Sequence, residues 1–394
     1  MFRLNPFSFP VQAILALFLA LLTLIGGCSP SNQPSAKGCN KIAILLPETG
    51  PAARWELSDR PELERRIAQK LIKNNNVKDL TLLYFNANGD PQKQFQQANR
   101  AIEQGACLLI LGPSSSSDAT EIVKKASEKQ IPVIAYDRAI DNGNIYADYY
   151  ISFDSKYVGQ KQGEYIKDQF VNLDNKNHRY ELKPDGNKFV MINGDKNDPN
   201  SKLLAEGLKS ILQTEYIDTN RLNLVEETNI QGWDAEKAAD KIQEVLTKYS
   251  EIKIAWVAND GMANKIIEKL VKLGYKPDQI LITGQDGTDG SIDKIADQWQ
   301  SMTVCKDSND LAEKTALLVE ALFQGKTEIP NTKFEKLDFT KSKSLISKAI
   351  YSVNLENSGV PPVTPDSSND QVSIDKKNKI EKLKKTCSPQ NPSQ

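Results

Sequence analysis

The sequence predicts an α/β protein of two doubly wound lobes, and three observations carry that expectation. Short apolar runs recur from about Lys41 to Val353, each followed by a polar loop and then a helical pattern. Most runs are near-continuously apolar rather than alternating, as strands buried on both faces of a parallel sheet must be. The 394 residues hold too many such runs for one comfortable sheet, and the rhythm pauses and restarts near Tyr150, so two similar lobes fit better.

Taken in order, the first segment stands outside this rhythm. Only Arg3 is charged before Cys28, and Val11 to Ile25 is apolar except for Gln12 and Thr23. That stretch of 15 residues falls short of the ~20 needed to span a bilayer and has the proportions of a signal-peptide core. Residues 1–27 are therefore read as a signal peptide. The junction Leu24-Ile25-Gly26-Gly27-Cys28 resembles a bacterial lipobox, which implies cleavage before Cys28 and diacylation of its sulfur. An ordinary signal peptide followed by an incidental cysteine is the alternative. Residues 28–40 then form a flexible tether, because Ser29 to Gly38 is rich in Ser, Pro, Asn, Gln and Gly.

The expected strands are Ile42–Leu46, Leu80–Phe85, Cys107–Leu111, Val133–Tyr136, Phe189–Ile192, Ile252–Ala258 and Ile280–Thr283. Between them the spacing predicts helices over Pro61–Lys73, Pro91–Gln104, Asp118–Lys129, Ser155–Phe170, Ser201–Gln213, Asp234–Tyr249, Met262–Leu273 and Leu311–Phe323. This gives a first lobe of 41–150 plus about 305–332, and a second of 151–304 plus about 333–356. The signal fades past about Asn357, where Pro361-Pro362, Pro365 and Asp366–Asp370 offer little apolar surface to bury, so 357–394 is expected to be a disordered polar tail. Within it Lys376–Lys385 reads as solvated, with contact to an anionic membrane as the alternative.

Composition excludes several functions. Lys and Arg total 50 against 51 Asp and Glu, so there is no basic face to argue for nucleic acid. A single histidine, His178, rules out His-rich zinc sites and HExxH, and five cysteines without a CxxC pair rule out zinc ribbons and thioredoxin-like chemistry. His178 lies in the hydrophilic stretch Asn175–Asn187 and receives no role. Gly325-Lys326-Thr327 resembles a P-loop, but Glu320 occupies the first glycine's place and the segment follows a helix instead of opening one. Asp195-x-Asn197 hints at a calcium loop, yet Pro199 and Asn200 stand where a ligand and the turn glycine belong. No metal or cofactor is expected.

What remains is a concentration of polar residues where strands end, which in an open α/β sheet is where ligands bind. Tyr136 leads to Asp137-Arg138, Ile192 to Asn193-Gly194-Asp195, Ala258 to Asn259-Asp260, Thr283 to Gly284-Gln285-Asp286, and Val304 through Cys305 to Lys306; Arg54 and Trp55 follow the first strand. Carboxylates, carboxamides and cations can each exchange two hydrogen bonds with neighbouring hydroxyls, and Trp55 and Trp233, read as lying in loops, offer flat faces to a pyranose ring. The set suits a polyhydroxylated neutral ligand. Any single Asp or Asn after a strand is better read as a helix cap. Asp137-Arg138 is the exception, because no strong helical pattern follows it directly.

The segment Ala135–Ile166 resembles one family specifically. Ala135-Tyr136-Asp137-Arg138, then Asp148-Tyr149-Tyr150-Ile151-Ser152-Phe153-Asp154, Val158-Gly159 and Gln162-Gly163 are similar to the D-xylose-binding proteins of bacterial sugar ABC transporters. Arg54-Trp55 with Asp59-Arg60, Gly232-Trp233, Asn259-Asp260, Gly284-Gln285-Asp286 and Met302–Lys306 fall in the same order, over roughly 41–350. The resemblance implies the type I periplasmic-binding fold: two Rossmann-like doubly wound lobes joined by a three-strand hinge, with a sugar held between them. It implies Arg54, Asp137, Arg138, Asn200, Asn259, Asp286 and Lys306 as polar ligands and Trp55 and Trp233 as the stacking pair. Pro199 and Cys305 depart from the family pattern, which leaves the sugar class standing and weakens the case for xylose itself.

The leading reading is thus a monomeric, lipid-anchored extracytoplasmic protein that passes an aldose to an ABC permease. The alternative is a sensor presenting the sugar to a membrane receptor or histidine kinase. A repressor is discounted for want of an N-terminal helix-turn-helix, and an enzyme because no nucleophile–base set is evident. In a lobe of strand order 2-1-3, Cys39 lies just before one strand and Cys107 opens its parallel neighbour, so the two fall within disulfide reach, unless they remain separate buried thiols.

Overall fold

Strand β1 (Lys41–Leu46) shows why its run is apolar throughout. Ala43 and Leu45 belong to one core, and Ile42, Ile44 and Leu46 to another on the opposite face. Side chains alternate across a strand, so a strand covered on both sides has no polar face to offer. The computed structural model describes residues 34–48, 54–171, 179–329, 332–337, 340–347, 350–354 and 370–387. The expected signal segment, Cys28, residues 29–33 of the tether and His178 lie outside these residues.

A helical turn Trp55–Asp59 runs into helix Arg60–Ala68. There follow β2 (Thr81–Asn86), helix Pro91–Glu103, β3 (Leu108–Leu111), helix Ala119–Glu128, β4 (Val133–Tyr136) and β5 (Tyr149–Phe153). Asp90 caps helix Pro91–Glu103 by accepting from the amides of Gln92 and Lys93, with Pro91 in the first turn. After Phe153 the chain enters the second lobe through helix Ser155–Val171, which packs on helix Pro199–Leu212. That lobe contains β6 (Asn187–Asn193), β7 (Leu222–Asn229), helix Ala235–Lys248, β8 (Ile252–Val257), helix Asp260–Lys272 and β9 (Leu281–Ile282). Next come β10 (Gln285–Asp286), helix Asp289–Ala296 and β11 (Met302–Lys306). Helix Ser308–Phe323 returns to pack on Arg60–Ala68, and β12 (Glu335–Leu337), β13 (Thr340–Ser347) and β14 (Ile350–Asn354) follow.

Three sheets result among the described residues. The first runs β12-β13-β5-β4-β3-β1-β2, the second β7-β6-β8-β9, and a small third one β10-β11-β14. All pairs are parallel except β12–β13 and β11–β14. The chain passes between lobes after β5, after β11 and between β13 and β14. Both lobes begin with the order 2-1-3, and Cys39 and Cys107 are joined by a disulfide with their Cα atoms 5.6 Å apart.

The expected boundaries change in two places. Tyr150 does not end the first lobe, because β5 continues through Phe153 and pairs with β4 and β13. Glu335–Leu337 and Thr340–Ser347 belong to the first sheet rather than the second lobe; Thr340–Ser347 has few apolar residues to announce that strand. Strand β7 also escaped the apolar reading, being a half-exposed edge whose residues include Asn223, Glu226 and Glu227. The tail is corrected as well: Asp370–Cys387 is a helix. Ile380 and Leu383 pack against a cluster of Ile292, Ile295, Cys305 and Val353, Lys384 pairs with Asp293 at 2.6 Å, and Cys387 is disulfide-bonded to Cys305. Three residues of helical spacing bring the two apolar side chains to one face, so even this lysine-rich stretch has an apolar stripe to bury.

Candidate functional site

The carboxyl ends of the strands in both lobes converge on one cavity. It encloses about 390 Å³ of empty space, its open mouth included, and is lined by Glu48, Arg54, Trp55, Asp137, Arg138, Asp198, Asn200, Trp233, Asn259, Gln285, Asp286 and Lys306. All nine residues singled out from the sequence are among these. Glu48, Asp198 and Gln285 are additions.

The first half of the site centres on Arg54. Its Nε lies 2.8 Å from Asp59 Oδ2, its Nη2 3.1 Å from Asp137 Oδ1 and its Nη1 3.5 Å from Asp286 Oδ1. Asp59 is fully buried and also accepts the Tyr136 hydroxyl at 2.6 Å. Lys306 closes the ring, with Nζ 2.9 Å from Asp286 Oδ1 and 3.9 Å from Asp137 Oδ1. Burial alone would raise the Asp137 carboxyl; Arg54, Lys306 and Arg138 outweigh it and hold it below the usual range. Burial likewise opposes charge on Arg54, and the three carboxylates reverse that and push its pKa well above the ordinary value.

Arg138 centres the other half and links the lobes. Its Nη2 donates to Glu48 Oε1 at 2.7 Å, and its Nε lies 3.0 Å from Asp198 Oδ2. Each carboxylate also accepts a tryptophan indole N–H, Trp55 to Glu48 at 3.2 Å and Trp233 to Asp198 at 3.2 Å. One arginine and two carboxylates thus orient both aromatic faces. Burial pushes the Asp198 carboxyl up to about 6, more than Arg138 and the amide of Asn200 pull it down.

Local backbone explains why these side chains point inward. Asp137 and Trp233 have φ 64 and 55, and Asp286 has φ 103, a region that L-residues adopt only when surroundings impose it. Three groups hold the Asp137 carbonyl: Ser152 Oγ at 2.7 Å, Asn200 Nδ2 at 2.8 Å and Tyr150 OH at 3.3 Å. Gly194 makes room for Trp233, since a Cβ there would collide with the indole ring.

The capping reading holds alongside the ligand reading. Asn259 caps helix Asp260–Lys272 through its oxygen, accepting from Met262 N at 3.0 Å, while lining the cavity. Asp198 caps helix Pro199–Leu212 through Asn200 N at 2.9 Å with one oxygen and serves Arg138 and Trp233 with the other. The helix starts at Pro199, two residues before the expected Ser201, which makes Asp198 its cap. Glu48 carried no signal beyond its place just after β1. Asp260 turns away from the cavity, accepting from Thr303 Oγ1 at 2.7 Å, Thr288 N at 2.9 Å and Gln300 Nε2 at 3.0 Å. Burial, then Asp286, push it up to about 7. Trp55 differs from its loop reading: it opens a helical turn and is only 4% exposed, packed edge-on against Tyr136. No group of residues suited to hold a metal ion occurs among the described residues.

Residues 54–327 match the sequence profile of the periplasmic binding protein domain. The chain is 30% identical over 312 residues to the D-xylose-binding periplasmic protein of Haemophilus influenzae, covering 78% of this chain and 84% of that one. It is 28% identical over 327 residues to a multiple sugar-binding periplasmic protein of Azospirillum brasilense, covering 80% and 85%. Among solved structures, an ABC transporter solute-binding protein of Clostridium phytofermentans with bound β-D-glucose superposes with a TM-score of 0.68 at 24% identity, over 84% of this chain and 99% of that one.

Proposed function

The chain belongs to the periplasmic binding protein family, and we propose that it captures a neutral aldose between its lobes and delivers it to an ABC permease. The observation that carries this is the charge balance of the cleft. Three cations, Arg54, Arg138 and Lys306, face four carboxylates, Glu48, Asp137, Asp198 and Asp286, and each of the three cations already has carboxylate partners. A ligand carrying its own carboxylate would be repelled, whereas hydroxyl groups can accept from the cations and donate to the carboxylates without adding charge. Two indole faces beside this polar ring supply the apolar contact that the C–H side of a sugar ring needs. Names of the relatives support the sugar class, xylose and multiple sugars among them.

Because ligands come from both lobes, the sugar stabilises the closed form, and closure would present a surface that a permease distinguishes from the open form. The protein would act outside the cytoplasm, held to the membrane through lipid on Cys28. The test is a thermal-shift panel of pentoses, hexoses and the corresponding sugar acids, followed by calorimetry. At 100 times its dissociation constant a ligand stabilises by about 2.7 kcal/mol. At least one neutral aldose should do so and its uronic or aldonic acid should not. Stabilisation by no neutral monosaccharide would overturn the proposal.

A further inference from the structure

The Cys305–Cys387 disulfide lies directly behind the part of the cleft wall made by Asp286 and Lys306. Cys305 precedes Lys306 on β11 and pairs in register with Asp286 on β10. Strand β10 has only two residues, and Asp286 holds φ 103, away from the left-handed well near +57° that aspartate tolerates. Such a residue keeps its conformation only where its surroundings over-determine it. Behind that turn sits the disulfide: a Cβ on Gly287 would lie 2.7 Å from Cys305 Sγ and 2.9 Å from Cys387 Cβ. Cys387 in turn is fixed by its helix, Asp370–Cys387, through Ile380 and Leu383 on the Ile292–Ile295 cluster and through Lys384 on Asp293.

We infer that this disulfide and its helix are a buttress for the sugar site, with Cys387 a positioning residue that acts through Asp286 and Lys306 without touching the ligand. The inference rests on the reading of the cleft given above. With the bridge open, nothing covalent holds the end of the Asp370–Cys387 helix against β11, and the packing behind Gly287 that backs the 285–287 turn is released. Asp286 can then relax out of its strained backbone, and binding must draw it back. That strain is worth at least about 1 kcal/mol, so binding should weaken about fivefold or more.

The test compares full-length protein with Cys387→Ser, and with a Cys39→Ser/Cys107→Ser control, by calorimetric titration with the tightest neutral monosaccharide of the panel. Cys387→Ser should bind about fivefold or more weakly, and the control as wild type. A second readout is reciprocal. In exchange with dithiothreitol, the reagent gives up two electrons and two protons and closes to its cyclic disulfide, while Cys305 and Cys387 become thiols. By linkage, saturating sugar must oppose this reduction by the same factor, and fivefold is about 20 mV for a two-electron couple. A purely structural bridge would leave that equilibrium unmoved by sugar. Wild-type affinity in Cys387→Ser, or an exchange equilibrium indifferent to sugar, would overturn the buttress. If Cys387→Ser fails to fold, the exchange measurement on the wild-type chain decides. Absence of binding to every neutral monosaccharide by the wild type would instead overturn the reading of the cleft, and the buttress with it.

Discussion

Replacing Asp137 by asparagine isolates the charge on which the neutral-ligand reading depends. The carboxylate lies 3.1 Å from Arg54 Nη2 and 3.9 Å from Lys306 Nζ. Asparagine keeps its shape and tolerates φ 64 as aspartate does, whereas alanine there adds about 1 kcal/mol of backbone strain. The carbonyl that anchors Asn200 and Ser152 is untouched in either variant. Loss of a hydrogen bond to a charged group costs about 1.5–3 kcal/mol, or roughly 10- to 100-fold in affinity for the neutral sugar. The uncompensated cations weigh chiefly on the closed form, since an open cleft returns them to water, so the fold should survive. A second signature separates charge from general damage: Arg54 and Lys306 lose a partner, so a sugar acid should gain relative to its neutral parent. Calorimetry with both ligands, and circular dichroism to verify folding, reads these outcomes. A folded Asp137→Asn protein with wild-type affinity for the neutral sugar and unchanged discrimination against the acid would refute the charge argument.

Gly194→Ala should displace the Trp233 ring and weaken sugar binding about as much as Trp233→Ala does, while Trp233→Phe should retain most of it; equal affinity of Gly194→Ala and wild type would remove Trp233 from the site. Asp198 and Asp260, pushed up to about 6 and about 7, hold their protons more tightly in the fold than in the unfolded chain. Their contribution is therefore full below about pH 4 and is lost as pH rises through 6 to 7, with ceilings of about 3 and 4 kcal/mol from the size of the shifts. Asp137 is shifted the other way, so its loss falls below the ordinary carboxylate range, while burial raises Asp148, Asp168 and Asp278 in the same direction as the pair over the window from pH 4.5 to 8. Urea denaturation of the sugar-free protein should show stability falling across that window, and a steady rise would contradict the assignment. Cys107→Ser opens a loop spanning a sequence separation of 68 residues and should destabilise by up to about 4 kcal/mol without altering sugar affinity. Mass spectrometry of the native protein should find a diacylated Cys28 at the N-terminus; an unmodified start beyond it would exclude the lipid anchor.

Much of the fold was legible because its strands are buried on both faces. A run such as Val133-Ile134-Ala135-Tyr136 has no solvent side, so its composition announces a strand and its end announces the crevice. The edges were not legible for the complementary reason. Strand β7 and the stretch Thr340–Ser347 carry polar and charged residues that a half-covered strand accepts, and nothing local distinguishes them from loops. The same asymmetry applies to the site. Asp137, Arg138, Asp286 and Lys306 stand at strand ends where capping is a poor account of them, or inside a specific resemblance. Glu48 and Asp198 became visible only when Arg138 was placed between them.

Asp198 shows why a single residue's bland reading is no evidence against its functional one. A carboxylate has two oxygens. Oδ1 accepts the Asn200 amide at the start of a helix, which satisfies an otherwise orphan donor. Oδ2 is thereby held at a fixed distance from the strand ends and meets Arg138 and the Trp233 indole. The cap is what gives the ligand-facing oxygen its position. Asn259 repeats the arrangement with its oxygen in the cap and its side chain on the cavity wall. A helix that starts at a sheet's carboxyl edge needs a polar side chain at that spot whether or not a ligand binds there, so sequence pattern alone finds the cap at every such edge. For Asp198 it is the paired cation across the crevice, Arg138 of the other lobe, that distinguishes it from a cap with no further role.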